Sequence, residues 1–240
     1  MGLLVVWGII GIILCGIAYM VHNKKMYDFV SGYNTSSEEE KQEYKNNGYL
    51  VYIGHFLWGM AIIWLIGFLF IALKVPYALE IQVAIFLFYT LGGTIYGSKY
   101  SPVKKKKRNY IFSISLTVII LVFVGGLFFV GMRPTEVTID EKTISFSGMY
   151  SYELKWENIQ SAEVIESLPD NIWRTNGFGT STRALGHFSS EELGKGRMYV
   201  YIEDAPYILL NTDEGFLILN SKDEQETLQW YNLINERIIE

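Results

Sequence analysis

Residues 98–132 constrain this chain more than any other stretch. A basic run, Lys104-Lys105-Lys106-Lys107-Arg108, leads straight into an apolar segment over 110–132. A helix needs about 20 apolar residues to cross a hydrocarbon layer of roughly 30 Å, and this segment is long enough. Lys and Arg beside a span stay on the cytoplasmic side, so the run also sets a direction. Residues 1–132 read as a transmembrane domain, and residues 133–240 read as one soluble domain. Charge divides at the same place: residues 1–132 carry 11 Lys+Arg against 6 Asp+Glu, net +5, and residues 133–240 carry 9 against 19, net −10. The averaged field of so acidic a domain repels nucleic acid, which is excluded as a partner. Cys15 stands alone, which excludes an internal disulfide and a cysteine-built zinc site.

Four spans are predicted, at about 3–21, 51–73, 79–97 and 110–132. The first lacks a positive n-region, and its charges, Lys24 and Lys25, lie beyond it, so it reads as an uncleaved span. Between the first two spans, Thr35 or Ser36 followed three residues later by Glu38 or Glu39 forms a capping-box pattern and predicts a short helix over about 36–46. Lys74-Val75-Pro76-Tyr77-Ala78 is too short to allow anything but an antiparallel hairpin of the second and third spans. Gly93-x-x-x-Gly97 in the third span permits close helix contact inside the bundle. His55 reads as a packed or interfacial residue. The first and third loops hold the Lys and Arg residues and the second holds only Lys74, as an alternating four-span topology requires. The amino terminus and the C-terminal domain are therefore expected outside the cytoplasm of a cell membrane. Lys104, Lys105, Lys106, Lys107 and Arg108 serve as the topology signal and as a contact for anionic lipid headgroups.

After Arg133-Pro134 the pattern changes to short alternating runs. Strands are predicted at 136–139, 143–146, 150–156, 161–165, 197–202, 207–211 and 215–220, and an amphipathic helix over 222–239 closes the chain. Residues 168–195, rich in Gly, Ser, Thr and Asn, read as a long irregular stretch.

Two resemblances accompany these patterns. The stretch SGYNTSSEEEKQEY after a first span resembles a membrane domain of unknown function from small proteins of Gram-positive bacteria, over about residues 1–100. The segments RTNGFGTSTRALGHFSSEELGKGRMYVYI and PYILLNTDEGFLILNSKDEQETLQWYNLI are similar to bacterial PH-like domains, over about 134–238. The second resemblance implies an antiparallel β-sandwich or barrel capped by one C-terminal helix, and a binding role. The fold class expected is thus an α+β membrane protein: a four-helix transmembrane bundle joined to a PH-like domain. Asp140-Glu141-Lys142 in the first hairpin turn is net acidic, which argues against inositol phosphates as ligands.

Within the irregular stretch, Arg174, Asn176, Phe178, Arg183, His187 and Phe188 are the candidate partner-binding residues. Arginines, aromatics and glycines can grip a peptide or an anionic group. Alternatively, Asn176-Gly177 and Gly179 build turns and Phe178 and Phe188 plug the end of the barrel. No H-E-x-x-H, G-x-S-x-G or phosphate-binding glycine loop is present, and His187, Ser181 and Asp170 form a triad only on paper. No cofactor, metal or enzymatic activity is expected. The function expected is a binding or sensing module at the membrane surface, with membrane lipids and a protein or peptide as partners. Self-immunity against a secreted antimicrobial peptide, or service as an accessory subunit of a membrane transport or regulatory complex, are the alternatives.

Overall fold

A computed structural model describes residues 2–239 of the chain; Met1 and Glu240, which the expected domain limits take in, lie outside the described residues. The chain forms two compact units that divide between Phe123 and Val124.

The helices α1 (Gly2–His22), α3 (Tyr49–Ala72), α4 (Ala78–Gly97) and α5 (Val103–Gly131) are each long and apolar enough to cross a membrane; the first three lie in the first unit, and α5 runs across the division. A lipid layer offers a backbone no hydrogen bonds, so these runs satisfy their own as helices. Helix α3 is central, packing against α1 on one side and α4 on the other. Trp7 stacks on Trp64 at 4.9 Å, and Trp64 Nε1 donates to the Trp7 carbonyl at 2.9 Å. On the α4 side, Phe56 lies between Tyr52 and Tyr89, and Tyr52 donates its hydroxyl to the Gly93 carbonyl at 2.6 Å. The missing side chain of Gly93 makes room for the Phe56 ring, because a Cβ there would overlap it. The Gly93-x-x-x-Gly97 pattern therefore serves contact between α3 and α4. His55, exposed near the start of α3, stands edge-on to His22 at 5.0 Å.

The short helix α2 (Glu38–Asn46) starts later than its pattern suggested. Ser37, rather than Thr35 or Ser36, is the N-cap, and Glu40 closes the capping box. Glu40 also pairs with Lys105, and Glu43 accepts from the Val103 amide at 3.0 Å, so α2 is tied to the first turn of α5. The basic run consequently lies on the helix itself and is not part of a loop.

The second unit takes in the last residues of α5, from Val124 onward, and, among the described residues, nine strands and α6 (Glu224–Ile239). The strands β1 (Val137–Ile139), β2 (Thr143–Phe146) and β3 (Tyr152–Lys155) make a three-stranded antiparallel sheet. The remaining strands, β4 (Ile159–Ile165), β5 (Ile172–Gly179), β6 (Arg183–Ser190), β7 (Gly194–Tyr201), β8 (Tyr207–Thr212) and β9 (Gly215–Leu219), form a six-stranded sheet in the order β4-β8-β9-β7-β6-β5. One face of the large sheet meets the small sheet and α6 in a core that includes Ile144, Leu154, Leu185, Tyr199, Leu217 and Ile234. The opposite face has its own core, with Phe188, Met198, Leu209 and Ile218. Burial on both faces explains why 207–210 and 216–219 are unbroken apolar runs.

Three expectations need correction. Among the described residues the strands number nine rather than about seven, and β7 pairs with β9 in parallel, so the sheet is not wholly antiparallel. Residues 168–195 are not irregular; most of them form the β5–β6 hairpin. Their glycines are what close strand contact requires rather than loop markers. A Cβ on Gly177 would strike the Leu185 carbonyl of β6, and Gly186 adopts φ +106°, which disfavours any side chain. A bulge between Arg174 and Asn176 further breaks the alternation on which strand recognition depends.

Gly92→Ala and Gly93→Ala give a paired test of the α3·α4 contact. A Cβ on Gly92 meets nothing within 4 Å, so that variant should melt in detergent at or above the wild-type temperature. Gly93→Ala should melt several degrees lower, in keeping with a loss of about 1–3 kcal/mol for an overpacked site. Equal melting temperatures for the two variants would contradict this packing.

Candidate functional site

Alternate residues of a strand face the same side, so Arg183, Leu185 and His187 of β6 share one face. The register extends each position into a row across neighbouring strands: Arg183 beside Tyr201, Leu185 between Phe178 and Tyr199, and His187 between Asn176 and Arg197. The middle row is core, with Leu185 and Tyr199 both buried. One sheet face thus has an apolar centre and two polar ends.

At the His187 end, Arg197 Nη1 lies 3.2 Å from His187 Nε2; a guanidinium only donates, so Nε2 accepts. The Arg197 guanidinium also stands 3.9 Å from the centre of the Tyr152 ring, a cation–π contact, and the Tyr152 hydroxyl donates to Glu214 at 2.9 Å. Burial, and after it the Glu214 carboxylate, raises the Tyr152 pKa. Thr175 donates its hydroxyl to the His187 carbonyl at 3.1 Å. Thr175, His187, Arg197 and Glu214, together with Asn176, Phe188, Lys195 and Gly196, line a cleft of about 550 Å³. Lys195 and Arg197 give the cleft a positive excess over Glu214 within a domain of net −10.

The six candidate residues do not share one place. Asn176 and His187 meet in this cleft, and Phe188, 6 % exposed, backs it from the second core. Arg174 reaches forward along β5, where Nη1 donates to the Gly179 carbonyl at 3.4 Å. Phe178 packs edge-on to Phe128 at 5.8 Å and against Gly131, at the end of α5. Both phenylalanine side chains are thus engaged in packing, Phe178 beside the end of α5 and Phe188 in the second core.

Arg183 lies at the other polar end and is 2 % exposed. Its Nη1 donates to the Met132 carbonyl at 2.9 Å and its Nη2 to Thr135 Oγ1 at 3.2 Å, while Nε has no partner. Burial lowers the Arg183 pKa from its ordinary value. Among the described residues no carboxylate forms an ion pair with it. The guanidinium sits 4.9 Å from the centre of the Tyr201 ring, and Lys222 Nζ sits 5.1 Å from the same centre. Asn220 holds the nearby chain in place: Oδ1 accepts from the Tyr201 amide at 2.8 Å, and Nδ2 donates to the carbonyls of Tyr201 and Asp204. These residues border a cavity of about 680 Å³.

Sequence reasoning missed Arg197, Tyr201 and Lys222. Arg197, Tyr199 and Tyr201 alternate, and that period of two was the available signal for a shared face. Nothing local tied Lys222 to residues of β6 and β7. On α5, Lys105 turns to Glu40, whereas Lys104, Lys107 and Arg108 are exposed and share a stripe with Ile111, Phe112 and Ser115.

A family model, Domain of unknown function (DUF3784), matches residues 8–101. That domain begins within α1, takes in α2 to α4 and ends before α5. It takes in the SGYNTSSEEEKQEY stretch, where a membrane domain of unknown function was expected. No family match supports the PH-like resemblance over 134–238. No curated protein and no solved structure matches the chain.

Tyr199 gives the face a pH signature. Burial pushes its hydroxyl up to about 12, while the unfolded chain titrates near the ordinary value of about 10. The raised folded value means that its stabilisation is intact below about pH 10 and is lost as pH rises through 12. The hydroxyl also donates to the Tyr150 carbonyl at 2.6 Å. Tyr199→Phe should cost about 1 kcal/mol at pH 8, and the gap to wild type should narrow between pH 10 and 12 in denaturant melts. A gap that stays constant over that range would contradict the assignment.

Proposed function

We propose that the protein is a multi-pass membrane protein that holds a binding domain at the membrane surface, with the His187–Arg197 cleft as its partner site. The observation that carries this reading is the reversal of charge: Lys195 and Arg197 line an open cleft on an otherwise acidic domain. Arg197 is fixed between Tyr152 and His187, so its guanidinium is held in position before a partner arrives. Such a site suits a carboxylate-bearing segment of a protein or peptide, and the acidic surround disfavours polyanions such as nucleic acid. A two-sheet domain closed by a C-terminal helix agrees with a PH-like binding module, and that part of the reading rests on outline alone. The positive charge of Lys24, Lys25, Lys41, Lys45 and the 104–108 run supports an extracytoplasmic position for the domain.

A panel of fluorescent peptides, acidic and neutral, with free or amidated carboxyl ends, tests the cleft against the purified full chain. Acidic peptides should bind, and Arg197→Gln should weaken them about tenfold, as expected for loss of one charge-assisted contact. No binding by any peptide, or equal binding by the variant, would refute the assignment.

A further inference from the structure

Removing a guanidinium from water is costly unless an anion or a full set of acceptors replaces the lost hydration. Arg183 has neither. Its two terminal nitrogens bond to neutral oxygens, its Nε has no partner, and no carboxylate pairs with it among the described residues. It lines the 680 Å³ cavity together with a second cation, Lys222. Both charged groups lie over the Tyr201 ring, at 4.9 and 5.1 Å from its centre, so they stand at most 10.0 Å apart. Lys222 is exposed on a flexible stem and can close on whatever Arg183 holds.

The rest of the lining narrows the ligand. Glu136, Glu203, Asp204 and Glu226 border the same cavity, and of these Glu226 accepts from Ser221 Oγ. A simple anion would meet that negative excess, whereas a ligand carrying an amine beside its anion satisfies both sets of charges. Met132 and Pro134, which also line the cavity, lie within three residues of Gly131, the last residue of α5. The apolar span ends there, at the depth where hydrocarbon gives way to phosphate headgroups.

We propose that this cavity binds a zwitterionic phosphate ester of the phosphoethanolamine type, with its phosphate at the Arg183 guanidinium and Lys222 and its amine toward Glu203 and Asp204. The site is separate from the His187–Arg197 cleft, and its occupancy does not depend on a peptide partner. The same chemistry is offered by a phospholipid headgroup and by a soluble ester.

Calorimetry on the full chain in detergent, titrated with O-phosphoethanolamine, inorganic phosphate and ethanolamine, tests the chemistry. O-phosphoethanolamine should bind about tenfold or more tightly than either fragment, and Lys222→Gln should weaken it about tenfold. Glu203→Gln should weaken O-phosphoethanolamine and leave phosphate unchanged or tighter. Both altered residues are exposed, so the test does not require the Arg183 network to be broken. Native mass spectrometry from nanodiscs separates the two sources. Retention of phosphatidylethanolamine over phosphatidylglycerol, lost in Lys222→Gln, identifies the lipid headgroup. Binding of the soluble ester without lipid preference identifies a soluble ligand. Neither soluble binding nor lipid preference, or either one unaffected by both substitutions, would overturn the proposal.

Discussion

The amino-terminal half answers one constraint: a hydrocarbon layer gives a polypeptide no partner for its amides and carbonyls. Every long apolar run between Gly2 and Gly131 is helical as a result, and hydrophobicity alone then does little to hold the helices together, since lipid is as apolar as leucine. Association depends instead on shape. Gly93 admits the Phe56 ring, Gly67 admits Gln82, and the two tryptophans Trp7 and Trp64 stack face to face. Large apolar side chains such as Ile12, Phe88, Phe112 and Phe123 remain exposed, as lipid-facing positions require.

The second unit obeys the opposite solvent. Here water drives apolar side chains inward, and the six-stranded sheet has a core on each face. Polar groups survive within such a sheet only where the covering layer ends. The stripe of β6 shows this: Leu185 lies at the centre, while Arg183 and His187 lie one row away on either side, each beside an aromatic ring or a second polar group. Both candidate sites therefore arise from the edges of one core, and the residues that complete them come from β3, β7 and the turn before α6 rather than from one loop.

The same physics decides which elements are legible in the sequence. Spans announce themselves by length of apolar run, and the expected 51–73 and 79–97 correspond to Tyr49–Ala72 and Ala78–Gly97. The strands β8 and β9 were legible because burial on both faces makes them continuously apolar. The β5–β6 hairpin was not, since β5 is an edge strand rich in polar residues and its glycines answer to backbone contacts with a partner strand. The parallel pairing of β7 with β9 and the meeting of Arg183 with Lys222 are nonlocal. Neither leaves a trace in spacing, because each depends on how the sheet is ordered.

The central claim is that the membrane helices present the second unit outside the cytoplasm, and sidedness tests it most directly. Cys15→Ser removes the native thiol, and Glu191→Cys places a new one at an exposed position between β6 and β7. A membrane-impermeant maleimide applied to intact cells should label that cysteine as fully as it does after lysis. Labelling only after lysis would place the domain in the cytoplasm and contradict the account.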